Sequence, residues 1–431
     1  MTEAAQQQPS ISGPQYLRLI GLGALIGIPA ALLAAVFLAV IHELEDWLWH
    51  DLPDALGYDA PPWFLVVALP VAGAALVFAA RRLLPGDGGH RPLDGFGASS
   101  PTPVSYAPGV ALAAIGTLAF GAVLGPEAPL IALGSAVGLA VTHFVDVDPA
   151  HHQVLAMAGA FSAISALFGG PIAAGILLIE AGIGLGKLLI PLMIPGLVAA
   201  AVGYLLFTGF GNWGGLEETT LSVPGLPPYE GVEVGDLAVA VVAGILIALV
   251  AQVCFALARR VAAGEERLGM GRLLLAGGLA VGLIALLADA LGEDSQDVLF
   301  SGQTAIPALV AETSAGAVAV LLAAKGLAYA ICLGCGFRGG QVFPAIFLGI
   351  GVVMFAVIAF DVSPTLAVAA GTAAGSAAVT RLLFASIVIG SLLVGSAGAD
   401  AVPAAILAGV AAWVTVMALE RAPRRRAATA E

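Results

Sequence analysis

GAVLGPEAPLIALG, residues 121–134, is the stretch on which the reading of this fold turns. It sets Pro126, Glu127 and Pro129 in the middle of an apolar run that extends from 108 to 142. An acid at that depth costs ~2.5–3.5 kcal/mol to place in a bilayer, so such residues carry function by default. Proline fits the first turn of a helix, where a missing N–H does no harm. Glu127 is therefore expected to open a helix. The free N–H groups and positive dipole end found there hold an anion, whether a side-chain carboxylate or a dissolved ion. A carboxylate that occupies an anion site and leaves it on protonation is a proton-sensitive gate in one residue. A carboxylate that only caps the helix and stays in place is the plainer reading of the same residue.

Working outward, 60% of the 431 residues are hydrophobic and 10% charged. A soluble domain carries about 25% charged residues, so lipid is the expected solvent. The 56 glycines and 26 prolines suit helices that pack closely through small side chains. With spans of about 20 residues, membrane segments are expected at 16–42, 62–80, 108–142, 153–180, 187–208, 236–258, 272–291, 314–336, 342–360, 364–395 and 400–419. Several hold Gly/Pro clusters at their centres, where lipid offers no substitute for a broken backbone hydrogen bond. Broken, re-entrant helices lining a protein cavity resolve that conflict. The expected fold is an all-α polytopic membrane protein.

GFRGGQVFPAIFLG (336–349) looks like a second copy of the opening stretch. Adding 215 to Gly125, Pro129, Leu133 and Gly134 gives Gly340, Pro344, Leu348 and Gly349; the same offset carries Ala163, Leu167, Gly175, Leu177 and Leu178 onto Ala378, Leu382, Gly390, Leu392 and Leu393. Two related halves meeting near the midplane are a common way to build a transport site. The halves are expected at about 16–235 and 236–420, inverted relative to one another, after a short N-terminal segment (1–15) and before a basic tail (421–431). At the position offset from Glu127 stands Val342, so the turn does not require an acid. Gly339 and Gly340 let the backbone approach a ligand closely, or merely kink the chain.

Loop charge orients the spans. Arg81 and Arg82, then Arg259, Arg260, Arg267 and Arg272, then Arg421 and Arg424–Arg426 mark the cytoplasmic side. Acidic loops alternate with them: Glu43–Asp59, Glu217–Asp236 and Glu293–Asp297. The net charge of −13 lies mostly in these loops and points to no nucleic-acid partner. No cleavable signal is expected, because no basic n-region precedes the first apolar run. Cys332 and Cys335 form C-x-x-C, but no second pair or nearby His accompanies them, and the six histidines have no ligand spacing. Neither metal nor cofactor is expected. An enzyme needs several polar groups converging at one depth; here there is one acid with N–H arrays, so no catalytic activity is expected.

These residues resemble the chloride channel/transporter (CLC) superfamily. GPEAP is similar to its G-x-E-x-P element, GFRGGQVFP to its G-G-x-F-x-P element, and LFSGQTAIPALV (299–310) and FGGPIAAGILLIE (168–180) to the segments around them. The wording looks closest to a divergent bacterial branch of ion-transport proteins. The resemblance covers about 80–419. It implies a homodimer in a bacterial-type inner membrane, both termini cytoplasmic, with one anion pathway per subunit. It also implies an external gate at Glu127 and an anion site formed by Gly125, Pro126, Ala128, Gly340, Gln341, Val342 and Phe343. Lys325 and Arg381 match basic residues common in the family, where satisfying helix-end carbonyls is the favoured role for both.

The departures from that pattern bear on mechanism. The family's hydroxyl-bearing G-S-G-x-P element is expected near Gly95–Ser99, with Phe96 at its serine, and Pro403 stands where the facing tyrosine would be. The inner barrier would then be lost or rebuilt from Ser99, Ser100 or Thr102. At the second, inner glutamate of the proton-coupled members stands Ala181, after Glu180. This favours passive, voltage-gated chloride channel-like conduction of small anions, chloride foremost. Proton-coupled antiport, with Glu180 as an inner proton carrier, is the alternative. No nucleotide-sensing domain is expected after Glu431.

Overall fold

The structure, a computed structural model, describes residues 12–96, 101–182, 189–211, 213–216 and 221–428, without the side chains of 422–428. Residues 1–11, Gly97, Ala98, Ser99, Ser100, Lys187, Glu217, Glu218 and the side chains of Arg424–Arg426 therefore lie outside the described residues.

Among the described residues there are fourteen helices of more than ten residues. The first seven are α1 (Gly13–Asp46), α2 (Trp63–Leu83), α3 (Ala107–Leu118), α4 (Glu127–Ala140), α5 (His152–Leu167), α6 (Pro171–Ala181) and α7 (Leu189–Thr208). The second seven are α8 (Val234–Ala262), α9 (Met270–Ala290), α10 (Ala315–Cys335), α11 (Val342–Phe360), α12 (Pro364–Thr380), α13 (Leu383–Val394) and α14 (Val402–Ala428). Among the described residues, eight helical stretches are long and apolar enough to cross a membrane, which makes the protein multi-pass.

The expected interruptions fall at the Gly/Pro clusters. The run 108–142 divides into α3 and α4 around Gly121 and Pro126, and 153–180 divides into α5 and α6 at Gly169–Pro171. The run 364–395 divides as well, although no such cluster marks it. There Arg381 turns into the left-handed region (φ 66°). Its guanidinium bonds the Ala378 carbonyl and Glu420, and Trp413 Nε1 donates to the Arg381 carbonyl at 3.2 Å. Partners supplied by α14, not local propensity, end α12.

The two sets of seven helices repeat one packing scheme. α4 packs on α5 as α11 does on α12, α1 on α7 as α8 on α14, and α5 on α7 as α12 on α14. At the first of these crossings, Gly134 and Gly159 lie backbone to backbone, as do Gly349 and Gly371 at its counterpart; a Cβ on any of the four would overlap main chain. The sets run in opposite senses. α1 leads from Arg18 to Glu43, Glu45 and Asp46, whereas α8 leads from Glu233 and Asp236 to Arg259 and Arg260. The halves are therefore inverted. Counterparts also touch each other directly: α2 against α9, α6 against α13, and the residues just before α4 against those just before α11.

Candidate functional site

The last of these contacts is the site. Gly125 N donates to Gly340 O at 2.8 Å and Gly340 N to Gly125 O at 2.5 Å, an isolated antiparallel bridge between residues 215 apart. It holds the starts of α4 and α11 side by side, with Pro126 and Gln341 as their N-caps. A Cβ at either bridge position would overlap the Glu127 carboxylate, so a side chain there would have to displace it.

Glu127 is the first residue of α4 and is 0% exposed. Its Oε1 accepts a hydrogen bond from Phe343 N at 3.0 Å, and Oε2 has no hydrogen-bond partner among the described residues. The carboxylate of one half thus lies on the free N–H groups that open the helix of the other half, the arrangement that suits a negative charge. The Phe343 ring stacks on Phe168, with centroids 6.0 Å apart and planes 14° apart, and closes that side of the junction.

The other residues expected at the anion site take distinct parts. The N–H groups of Gly125 and Gly340 are donated to each other's carbonyls, so in this arrangement these two residues shape the site. Gln341 is held by Tyr329, whose hydroxyl donates to the Gln341 carbonyl at 3.1 Å, and its own Nε2 donates to Val379 O at 3.4 Å. Val342 and Phe343 open α11, and the Phe343 N–H is the donor that Glu127 takes. Pro126 and Ala128 stand on either side of Glu127 and face different cavities.

Pro126 lies at a cavity of about 560 Å³ whose wall includes His42, Glu45, Ser301, Gln303 and Thr304. His42 and Glu45 belong to the acidic end of α1. Ala128 and Pro129 line a much smaller pocket, about 10 Å³, with Gly88, Gly89, His90, Gly339 and Arg338. Arg338 ties that pocket to the arginine-rich side: its Nε donates to Asp87 O at 2.9 Å, its Nη2 pairs with the Asp87 carboxylate, and Arg81 Nε bonds the same carboxylate at 2.9 Å. Arg338 was as visible in the sequence as Glu127, a charge inside an apolar run. Asp87 was not, because the pairing joins residues 251 apart.

Of the segment expected to form the inner barrier, Gly97, Ala98, Ser99 and Ser100 lie outside the described residues, and Gly88–His90 border the start of α4. Phe96 is half-buried against the core, and Thr102 N donates to Ser135 Oγ at 3.0 Å, away from Glu127. Pro403 is exposed at the start of α14, whereas the junction is fully buried.

The remaining candidates bond backbone. Lys325 Nζ donates to the carbonyls of Asp297, Val298 and Leu299 at 2.8, 3.3 and 2.8 Å. Glu180 Oε1 and Oε2 accept from Phe384 N and Ala385 N at 3.1 and 2.8 Å, across the contact of α6 with α13, and Ala181 ends α6.

Comparisons with known proteins agree with this architecture. The family described as voltage gated chloride channel matches residues 92–416. The protein named "Putative ion-transport protein YfeO" in Escherichia fergusonii is 30% identical over 335 residues, 75% of each chain, and its namesake in Escherichia coli SMS-3-5 matches to the same extent. Among solved structures, a slow cyanobacterial Cl−/H+ antiporter superposes with a TM-score of 0.75 at 18% identity, covering 93% of this chain and 95% of that one. A CLC-type fluoride/proton antiporter gives 0.70 at 18% identity, over 94% and 96%. The inverted halves, the bridged helix starts and the family match lead to one conclusion: the chain is a membrane-embedded member of the CLC superfamily of anion transporters and channels.

Proposed function

We propose that this protein conducts small inorganic anions passively, chloride foremost, with Glu127 as the protonatable gate. The observation that carries the reading is the Glu127 carboxylate, wholly buried and held by the Phe343 N–H, with one neighbour, Pro126, facing the large cavity and the other, Ala128, facing the small pocket. A carboxylate on those N–H groups occupies the position an anion would take. Protonation removes its charge and weakens its hold, so the N–H groups become free for the permeant ion. The large cavity, with the acidic end of α1 in its wall, is then the external vestibule. Both termini lie on the arginine-rich, cytoplasmic face of a bacterial inner membrane, and the working unit is a homodimer of about twice 42.9 kDa, to be read from the mass of the protein in detergent.

The test is anion flux in liposomes. Glu127→Gln should raise flux at neutral pH by about tenfold, because a charged hydrogen bond exceeds a neutral one by roughly 1–1.5 kcal/mol. The same variant should lose the external pH response. Unchanged flux with an unchanged pH response would remove Glu127 as the gate. The reversal potential under a pH gradient decides the mode: it should follow the anion gradient alone. Movement with pH at fixed chloride would instead mean exchange, and Glu180 would have to leave α13 to carry a proton.

A further inference from the structure

We infer that Glu45, with His42 beside it, is an external proton relay for Glu127: the pair takes protons from water at the outer end of the large cavity and passes them to the gate. This deepens the gate reading proposed for Glu127 and rests on it.

α1 turns one face to that cavity, since Leu38, Ile41, His42 and Glu45 recur at i, i+3, i+4 and i+7. The apolar positions come first and the titratable ones last, at the acidic end of the helix. Of the three acids there, Glu43 and Asp46 are exposed, and Asp46 lies between His42 and His50, 3.6 Å from each. Glu45 alone lines the cavity, half-buried, with no hydrogen bond or ion pair among the described residues. The His42 side chain is 71% exposed and also lines the cavity, so it joins bulk water to the interior wall. No other titratable residue stands in that wall among the described residues: α3, the ends of α5 and α7, and the segment 300–304 add none. Ser301, Gln303 and Thr304 supply polar groups that can hold water along the way, and the rest of the wall is apolar. At about 560 Å³ the cavity has room for a chain of waters, each taking about 30 Å³ in the liquid. The end of α1 is also fixed relative to the gate. Trp49, in the π-turn Trp47–Asp51 that continues α1, donates from Nε1 to Ala119 O at 3.0 Å and meets the Phe300 ring edge-on, centroids 5.2 Å apart.

One proton accounts for the whole step. It passes from external water to the His42 imidazole or the Glu45 carboxylate, then through the cavity water to Glu127 Oε2, the oxygen without a hydrogen-bond partner among the described residues. Glu45 returns to its ionised form, and Glu127 becomes the neutral acid that gives up the Phe343 N–H. The transfer runs toward the gate because an ionised Glu45 disfavours a second negative charge nearby.

The experiment records anion current through the full-length protein in planar bilayers after a fast drop in external pH, in weak buffer. Glu45→Gln should slow the rise of current by about tenfold, less than the ~10²–10⁴ that a positioned acid–base group can contribute, because water still reaches the gate directly. Raising the concentration of a small external buffer such as imidazole should restore the rate, which it cannot do for a variant that is merely misfolded. The midpoint of the steady-state pH response should move to lower pH, because Glu127 loses a negative neighbour. His42→Gln should slow the rise with the same rescue. Unchanged rate and midpoint in Glu45→Gln, with the response abolished in Glu127→Gln, would overturn the relay and keep the gate. A slowed rise that no buffer restores would also overturn it, leaving Glu45 a structural part of α1. A pH response that survives in Glu127→Gln would end the gate reading, and the relay with it.

Discussion

Lys325 shows how a charge deep in α10 can be taken up wholly by backbone carbonyls. It is fully buried, its three donors each meet a carbonyl of the segment 297–299, and its ammonium lies 4.6 Å from the centre of the Phe347 ring. Nothing is left over for an ion. Lys325→Met should therefore cost about 3 kcal/mol, since three buried carbonyls lose their donor, with halide preference unaltered in the protein that folds; denaturant unfolding in detergent measures the first and the flux panel the second. Glu127 differs in that its Oε2 has no hydrogen-bond partner among the described residues. The sequence alone showed where these charges lie, because an ionisable residue in an apolar run is conspicuous. It did not show which were saturated: the partners of Lys325 lie 26–28 residues away and those of Arg338 lie 251 away, distances that no local pattern encodes.

Among the helices, the breaks were legible wherever glycine and proline caused them and illegible where tertiary contact did. The starts of α4 and α11 follow from GPEAP and GGQVFP, while the end of α12 at Arg381 depends on Glu420 and Trp413, both on α14. The contact of α6 with α13 has the same character. Glu180 sits at the end of a short helix and its two oxygens collect the first free N–H groups of another, which is favourable for a negative charge at a helix start. Glu180→Gln keeps one acceptor and loses the charge, so it should lower stability by about 1 kcal/mol. Its thermal midpoint in detergent should drop while anion flux persists; loss of a proton-coupled component of the reversal potential would contradict this assignment and restore Glu180 as a carrier.

Across the whole molecule, the two halves are interlocked by contacts between counterparts. α2 meets α9, α6 meets α13, and the bridge of Gly125 with Gly340 joins the starts of α4 and α11. Neither half can complete the site, because the acid comes from one and the N–H groups from the other. A chain divided between Leu216 and Glu217 should accumulate only when both pieces are co-expressed, and the pieces should copurify and restore flux; one piece folding and conducting alone would contradict that dependence. The offset of 215 made the duplication readable, but which residues meet across it awaited the fold. The bridge has one more consequence. It joins two backbones that are near-equivalent under reversal of the membrane, so the scaffold by itself has no preferred direction and looks alike from both ends. Polarity enters through side chains, chiefly an acid at 127 opposite a valine at 342. On the gate reading proposed for Glu127, exchanging them, Glu127→Val with Val342→Glu, should switch the compartment whose acidity raises flux, as recorded with each face titrated in turn.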